Sequence, residues 1–249
     1  MFEYLERPAI IAHRGASAFA PENTLAAFQK AIELKADGIE FDVKLSKDKH
    51  IIIMHDATLQ RTTNGIGRVN DFSLEELKRL DAGSSNKSEF QRETIPTLEE
   101  VLIRFSDQLI LNIELTNYQS INDGLPVAAA KLVKELGVQN RVFFSSFHPK
   151  NLWITRKMLP DVPVALLALP GKIGWLQRSG LFNGTAPRYI HPFYKDASQR
   201  YIEKQHQKHR KVNVWTINEE DDFLRLVSFH VDGLITDNPI LARKILGLA

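Results

Sequence analysis

Polar residues that could do chemistry follow short apolar runs in the first quarter of the chain. His13 and Arg14 come directly after one such run, and His55 comes directly after another. A polar side chain at the end of a buried strand is costly to desolvate unless a partner compensates it. Imidazole titrates near neutrality, so His13 and His55 can act as an acid–base pair. A structural, hydrogen-bonded histidine is the alternative for His13.

Two carboxylates occur in a second apolar run. Glu40 and Asp42 alternate with Ile39, Phe41 and Val43. Because side chains alternate along a strand, both carboxylates point to one face and the three apolar side chains point to the other. Neighbouring negative charges repel each other and shift each other's pKa, and a hard divalent cation between them removes the conflict. The pattern predicts a metal site, with a solvated face or a structural ion pair as the alternative.

A third carboxylate occurs in the same setting farther along the chain. Asn112 and Glu114 share the polar face of a predicted strand whose other face is apolar. Three carboxylates suit Mg²⁺ or Ca²⁺, with water and substrate oxygens completing the coordination. We therefore predict one divalent cation, Mg²⁺ or Ca²⁺, held by Glu40, Asp42 and Glu114.

Alternation of strand and helix patterns places these residues in a fold. Asn23 is predicted to cap the first helix, and Ser73 and Thr97 each begin a capping box. Roughly eight strand–helix units indicate an α/β fold with a closed parallel TIM (β/α)8 barrel. The active site of such a barrel lies where its strands end. The candidate residues at or near predicted strand ends are His13, Glu40, Asp42, His55, Glu114 and Trp215.

Composition excludes several other classes of protein. A chain of 249 residues with 43% hydrophobic residues can form one large domain, 1–249, with an ample core. A net charge of +2 is too small to indicate a nucleic-acid partner. The absence of cysteine excludes disulfides and thiol catalysis. No signal peptide or transmembrane stretch is visible, so we expect a cytoplasmic protein with a small-molecule substrate. Whether it forms a homo-oligomer stays open.

Four short motifs occur in a specific order along the chain. HRG lies at 13–15, PENT at 21–24, E-x-D at 40–42 and HD at 55–56. This set resembles the glycerophosphodiester phosphodiesterase family, and the later segments VNVWTIN and DGLITDNP look like the closing motifs of that family.

The resemblance implies an activity and a set of roles. It implies a barrel with a small helical insertion at about 57–96, after the second barrel region, and hydrolysis of glycerophosphodiesters to glycerol 3-phosphate and an alcohol. It assigns acid–base catalysis to the two histidines and the metal to the three carboxylates. Arg14 would hold the phosphate through two donors. Whether water or a neighbouring substrate hydroxyl attacks phosphorus stays open, as does the choice between acid and base for each histidine.

Four residues have less decided roles. Trp215 either lines the substrate pocket, as the resemblance implies, or packs in the core. Lys44 shares a strand face with Asp42 and is either a phosphate contact or a surface lysine. His148 and His191 also lie near predicted strand ends, and we interpret them as hydrogen-bonded loop residues.

One position departs from the family pattern. The family strand reads NIE, an aliphatic residue and lysine, whereas this chain reads NIELT with Thr116 at the lysine position. Threonine donates a hydrogen bond but carries no charge. Our hypothesis is that Arg14 and the metal provide most of the phosphate neutralisation, with Lys44 or Lys172 compensating.

Two other functions stay open. A lysophospholipase D-like enzyme acting on amphipathic diesters would need an apolar lip, and the candidates for that lip are Phe19, Trp175, Leu176, Leu181 and Phe182. A non-catalytic barrel could only bind phosphate ligands, but binding alone does not need two titrating imidazoles.

Overall fold

The protein is a closed barrel of parallel strands with helices outside it. The computed structural model describes residues 1–2, 5–83, 90–186 and 188–248. Its strands are β1 (Ala9–His13), β2 (Gly38–Leu45), β3 (Ile51–Ile53), β4 (Ile110–Leu115), β5 (Val142–Ser146), β6 (Val164–Ala168), β7 (Tyr189–Pro192), β8 (Lys211–Val214) and β9 (Gly233–Thr236). All except β3 pair in parallel, in the order β1-β9-β8-β7-β6-β5-β4-β2, and β2 closes the ring on β1. The predicted TIM barrel is confirmed.

Helices connect most of the successive barrel strands. They are α1 (Leu25–Glu33), α2 (Leu74–Lys78), α3 (Leu98–Phe105), α4 (Leu125–Glu135), α5 (Pro149–Met158), α6 (Gly171–Arg178), α7 (Gln199–His206), α8 (Glu220–Ser228) and α9 (Pro239–Ile245). Within the described part of the chain, no helix combines the length and apolar character needed to cross a membrane.

Strand β3 is the exception to the parallel arrangement. It runs antiparallel to β2, with Ile53 opposite Val43, and Met54 N–H donates to the Asp42 carbonyl at 2.9 Å. We expected His55 to follow a barrel strand, and this was wrong. The long β2 projects beyond the ring, so the returning β3 brings His55 back to the level of Asp42.

Alternation along the strands separates two apolar layers. Ile39, Phe41 and Val43 are fully buried in the layer between barrel and helices. Burying each such side chain stabilises the fold by about 1.5–3 kcal/mol. A second cluster, which includes Ile11 and Phe143, is formed by residues of the opposite alternation. Glu40 and Asp42 therefore share the face opposite to the main core, as predicted.

Two of the three predicted helix caps are confirmed, and the third lies one residue later than predicted. Ser73 and Thr97 form the capping boxes of α2 and α3 as predicted. The prediction that Asn23 caps α1 is wrong, because Thr24 accepts the hydrogen bond from Ala27 N–H. Asn23 instead has a positive φ of 57° and directs its amide elsewhere.

The segment at 57–96 contains α2 and a small apolar cluster of its own. Leu59, Val69, Leu77 and Ile95 are buried there, packed on the side of β3 through Ile52. Its description as an insertion into one domain covering 1–249 stays a prediction.

Gly15 allows the tight turn that follows β1. Its φ is +83°, and an added Cβ would lie 2.7 Å from the Ala27 carbonyl carbon. We expect Gly15→Ala to lower the free energy of unfolding by more than the about 1–3 kcal/mol that a strained backbone costs alone, because steric overlap adds to the strain.

Chemical denaturation would measure this loss, and Gly124→Ala is the matched control. Gly124 has a φ of +94°, but an added Cβ there would meet nothing within 4 Å. The control should therefore show the backbone cost alone. Equal losses in the two variants would contradict the proposed clash with Ala27.

Candidate active site

Strand register brings the polar residues together at the carboxyl ends of β1, β2 and β4. His13 pairs with Glu40 across β1 and β2. Glu40 pairs with Asn112, and Asp42 pairs with Glu114, across β2 and β4. Each of the three carboxylates offers an oxygen within 4.8 Å of the other two. The three predicted metal ligands thus converge.

These carboxylates are crowded and poorly hydrated. Burial raises the pKa of the Glu114 carboxyl to about 8, and the charge of Asp42 adds to the shift. Burial also raises the pKa of Glu40 well above its ordinary value, reinforced by Asp42 and Glu114. A divalent cation would relieve this repulsion, and carboxylate oxygens are ligands that Mg²⁺ and Ca²⁺ prefer. The donor set therefore fits a hard divalent cation.

Backbone and amide groups orient two of the ligands. Arg14 N–H donates to Glu40 Oε2 at 3.1 Å. Asn23 Nδ2 donates to Asp42 Oδ2 at 3.0 Å, and Asp42 N–H donates to Asn23 Oδ1 at 3.3 Å. The PENT motif thus contributes a clamp on Asp42, which leaves that carboxylate little rotational freedom.

A carboxylate, that of Asp237, contacts the Nδ1 side of the His13 ring. His13 Nδ1 lies 2.6 Å from Asp237 Oδ1, and Asp237 also accepts hydrogen bonds from Ser17 and Asn218. The Nε2 atom lies 4.0 Å from Glu40 Oε2. A carboxylate on Nδ1 fixes the orientation of the ring.

His55 has the same arrangement on a different element. Its Nδ1 lies 2.6 Å from Asp56 Oδ1, and its side chain is 42% exposed, against 19% for His13. Both histidines line a small cavity of about 60 Å³, which we name the central cavity. Its lining consists of His13, Arg14, Glu40, His55, Asn112, Glu114, Phe147, Leu167, Trp215 and Ile235.

A chain of ion pairs links the two ends of the site. Arg61 donates to both Asp56 and Glu22, and Arg14 Nη1 donates to Glu22 at 2.8 Å. Although burial opposes it, hydrogen bonding to the two arginines lowers the pKa of Glu22 to about 2. Arg14 Nε is buried without a hydrogen-bond partner and lies 3.5 Å from Asp42 Oδ2. Part of the Arg14 fork is thus held in place beside the carboxylates.

Aromatic side chains form one wall of the central cavity. Trp215 is half-buried, and its ring centroid lies 5.4 Å from that of Phe147. Its Nε1 donates to the His191 carbonyl at 2.8 Å, which fixes the indole. Tyr118 stacks edge-on against Phe147 and donates to Glu114 Oε1 at 2.8 Å.

Lys44 lies beside the central cavity, where hydrogen bonds to Thr116 hold its ammonium group in place. Lys44 Nζ donates to both the carbonyl and the hydroxyl oxygen of Thr116, each at 2.8 Å. The Thr116 hydroxyl in turn donates to the Val43 carbonyl at 2.9 Å. Burial lowers the pKa of Lys44. An ammonium from β2 therefore reaches the end of β4 where the family pattern has a lysine.

The two other histidines near predicted strand ends, His148 and His191, differ from each other. His148 caps α5, where it accepts a hydrogen bond from Lys150 N–H, in line with its predicted structural role. His191 is not a loop residue, and that prediction was wrong. It is fully buried in β7, where Nε2 lies 3.0 Å from Asn213, and burial lowers its pKa to about 3.

The predicted apolar lip is only partly exposed. Trp175 and Leu181 are 64% and 67% exposed on and after α6, and Leu176 is also exposed. Phe19 and Phe182 instead pack against the main core. Lys172 is exposed on α6 and is not among the described residues that line the central cavity.

Sequence reasoning missed the residues that support the histidines and ligands. Asp56 and Asp237 lie in the HD and TDNP segments, and Glu22 and Asn23 lie in PENT. Their positions in these motifs indicated that they matter for the site. Their partners could not be predicted, because the fold decides which side chains meet.

Comparison with known proteins agrees with this geometry. Residues 13–241 match the Glycerophosphoryl diester phosphodiesterase family. A glycerophosphodiester phosphodiesterase of Caldanaerobacter subterraneus is 40% identical over 92% of this chain and 94% of its own length. One of Bacillus altitudinis is 35% identical over 95% and 97%.

A solved structure gives the same result for the fold. A phosphodiesterase of Oleispira antarctica, in complex with the product sn-glycerol-3-phosphate, superposes with a TM-score of 0.87 at 31% identity, covering 99% of this chain and 98% of that one. The chain described above belongs to the glycerophosphoryl diester phosphodiesterase family, a family of phosphoric diester hydrolases.

Proposed function

We propose that this protein hydrolyses glycerophosphodiesters to glycerol 3-phosphate and an alcohol, with a divalent cation at Glu40, Asp42 and Glu114. One observation carries the proposal: two carboxylate-oriented imidazoles border a single cavity together with Glu40 and Glu114 of the carboxylate cluster. A site that only bound phosphate would not need two imidazoles that are each held at Nδ1 by a carboxylate. The similarity to a glycerophosphodiester phosphodiesterase and to a phosphodiesterase in complex with sn-glycerol-3-phosphate supports this activity.

The two histidines are proposed to move protons on either side of phosphorus. One imidazole accepts the proton of the attacking hydroxyl, and the other protonates the departing alkoxide, which is otherwise a poor leaving group. Asp237 and Asp56 hold Nδ1 of each ring, so Nε2 is the atom that exchanges the proton.

Positive charge is needed on the phosphoryl oxygens while the attack proceeds. Bound at the carboxylate cluster, a divalent cation would polarise these oxygens as a Lewis acid. Arg14 would hold the phosphate, and Lys44 would add a nearby ammonium in place of the missing lysine at 116. Trp215 and Phe147 would pack against the carbon skeleton of the substrate.

Arg14 gives a specific prediction. We expect Arg14→Ala to lower kcat/KM about 10–100-fold, because one charge-assisted contact with an ionised group is worth about 1.5–3 kcal/mol. Steady-state kinetics on a soluble glycerophosphodiester would measure the loss, with Arg14→Lys as a variant that keeps the charge but not the fork. Unchanged kinetics in Arg14→Ala would show that the arginine does not hold the phosphate.

A second substrate class has one observation in its favour. Trp175, Leu176 and Leu181 expose apolar surface on and after α6, and Gln177 of the same helix donates to the carbonyl of Phe147, a central-cavity residue. An amphipathic diester such as a lysophospholipid could rest its acyl chain there.

A substrate panel tests the proposed function and separates the two classes. Release of sn-glycerol 3-phosphate from short glycerophosphodiesters is the expected result. Release of free head group from lysophosphatidylcholine, without turnover of glycerophosphocholine, would favour the amphipathic class. No hydrolysis of any diester in the presence of Mg²⁺, Ca²⁺ or Mn²⁺ would refute both.

A further inference from the structure

A second and much larger cavity lies directly beside His55. We name it the His55 cavity; its volume is about 560 Å³, against about 60 Å³ for the central cavity. It is walled by the end of β2, the segment after β3 and the segment after β4, through residues that include Lys44, Ala57, Arg68 and Tyr118. Its volume falls in the range of about 300–1,000 Å³ that is typical of small-ligand sites.

The two cavities share a wall. His55 lines both of them, and Tyr118 of the His55 cavity donates to Glu114 of the central cavity. A phosphodiester carries two arms on phosphorus. The central cavity, at about 60 Å³, is far smaller than the roughly 300–1,000 Å³ of typical small-ligand sites, so the arms of a bound diester must extend out of it. An arm that passes His55 enters the larger space.

Electrostatics restrict what this space accepts. Lys44, Lys47, Lys49 and Arg68 line the cavity. Lys44 and Arg68 donate to the neutral partners Thr116 and Gln119, and Lys47 and Lys49 are exposed. These cations therefore repel a positively charged head group.

The acidic residues of the same wall offset only part of this positive charge. Asp56 is paired with Arg61, whereas Asp123 accepts from the neutral donors Asn117 and Leu125 N–H. Because neutral donors do not cancel its charge, Asp123 offsets one of the four cations and the lining stays net positive. Among the described lining residues, Tyr118 is the one with a phenol or phenyl ring, so the cavity lacks the aromatic cage that binds quaternary ammonium groups. Hydroxyl and amide groups make up most of the rest of the polar lining.

A third cavity beside His13 has the opposite character. This His13 cleft, of about 420 Å³, is lined by Glu22 and Asp237 together with Ser17 and Asn218. Those groups are occupied with one another and with Arg14 and His13. It offers fewer free donors to hydroxyl groups than the His55 cavity does.

We propose that the His55 cavity holds the alcohol head group of the diester and selects polyhydroxyl head groups, such as glycerol or inositol, over quaternary ammonium ones. Hydroxyl oxygens would accept hydrogen bonds from the lysine and arginine donors, and an ammonium would face like charges. This inference rests on the proposed function, because it assigns one arm of the proposed substrate.

Three substrates and two variants test the inference. The wild-type protein should release sn-glycerol 3-phosphate from glycerophosphoinositol with a kcat/KM at least about tenfold above that for glycerophosphocholine, the effect of one charge-assisted hydrogen bond. The double variant Lys47→Glu/Arg68→Glu should lower this ratio about tenfold or more. Lys131→Glu, which changes the charge of an exposed residue of α4, should leave it unchanged.

A methyl ester of glycerol 3-phosphate tests the proposed hydrolysis separately from the proposed selection of the head group. Its methyl arm is too short to use the cavity, so its hydrolysis reports the proposed function alone. Two results would overturn the inference while the methyl ester is still hydrolysed. One is a ratio of kcat/KM for glycerophosphoinositol to kcat/KM for glycerophosphocholine near one in the wild-type protein. The other is an unchanged ratio in the double variant, provided that its unfolding temperature shows it to be folded. A preference for glycerophosphocholine would assign the head group to the His13 cleft instead. No hydrolysis of any of the three would refute the proposed function itself.

Discussion

Replacing Glu114 with glutamine is expected to lower kcat by about 10³-fold or more, because the loss of one ligand removes Lewis-acid stabilisation worth several kcal/mol. The same variant should also lose most of the increase in unfolding temperature that Mg²⁺ or Ca²⁺ gives the wild-type protein. Loss of activity with an unchanged metal-dependent shift would mean that Glu114 acts on the substrate and not as a ligand.

The pH dependence of stability gives this variant a second, metal-free readout. The Glu114 carboxyl has a pKa of about 8 in the folded chain, against an ordinary value of 4.5. A raised folded pKa means that the contribution of this group to stability is fully present below pH 4.5 and is lost as the pH rises through about 8. Without metal, wild-type stability should therefore fall across this interval, and Glu114→Gln should show less of the fall.

Glu135→Gln is the matched control for both readouts. Glu135 is an exposed residue in α4, so its loss removes the same charge far from the cluster. Equal pH profiles for Glu114→Gln and Glu135→Gln would contradict the crowding of the three carboxylates.

Replacing either His13 or His55 with alanine should lower kcat about 10²–10⁴-fold, the usual worth of a positioned general acid or base. KM should change little, because the role proposed for the imidazoles concerns protons that move in the transition state. His206→Ala is a matched control, since His206 also pairs with an aspartate, Asp232, at 2.7 Å but lies on α7 away from the site. Retention of more than about a tenth of kcat by both site variants would exclude the acid–base pair.

The same variants can identify which histidine is the acid. A p-nitrophenyl ester of glycerol 3-phosphate has a leaving group that departs without protonation. The variant that lacks the general acid should therefore recover much of its rate on this ester, and the variant that lacks the base should not. Equal recovery in the two variants would contradict a division of roles between His13 and His55.

Much of the barrel could be predicted because the alternation of apolar and polar residues shows which face of a strand is buried. Ile39, Phe41 and Val43 placed Glu40 and Asp42 on one side before any contact was known. The register between strands was not predictable in this way. That Asp42 meets Glu114, while Glu40 meets Asn112, depends on how β2 slides against β4, and one residue of slip would change every partner.

The supporting residues were hidden for a related reason. Asp56 is adjacent to His55 in sequence, but Asp237 reaches His13 across 224 positions, through the pairing of β9 with β1 that closes the barrel. His55 itself depends on an antiparallel return of the chain that its apolar run could not reveal. The His55 cavity is walled largely by segments after β3 and β4 that carry no periodic pattern.

The most direct measurement follows the initial rate of sn-glycerol 3-phosphate release after metal is removed and restored. Protein treated with EDTA, and shown by elemental analysis to be free of divalent ions, should hydrolyse a glycerophosphodiester at a negligible rate. Titration with Mg²⁺, Ca²⁺ or Mn²⁺ should restore the rate in the wild-type protein and not in Glu114→Gln. Full activity of the metal-free protein would contradict the account.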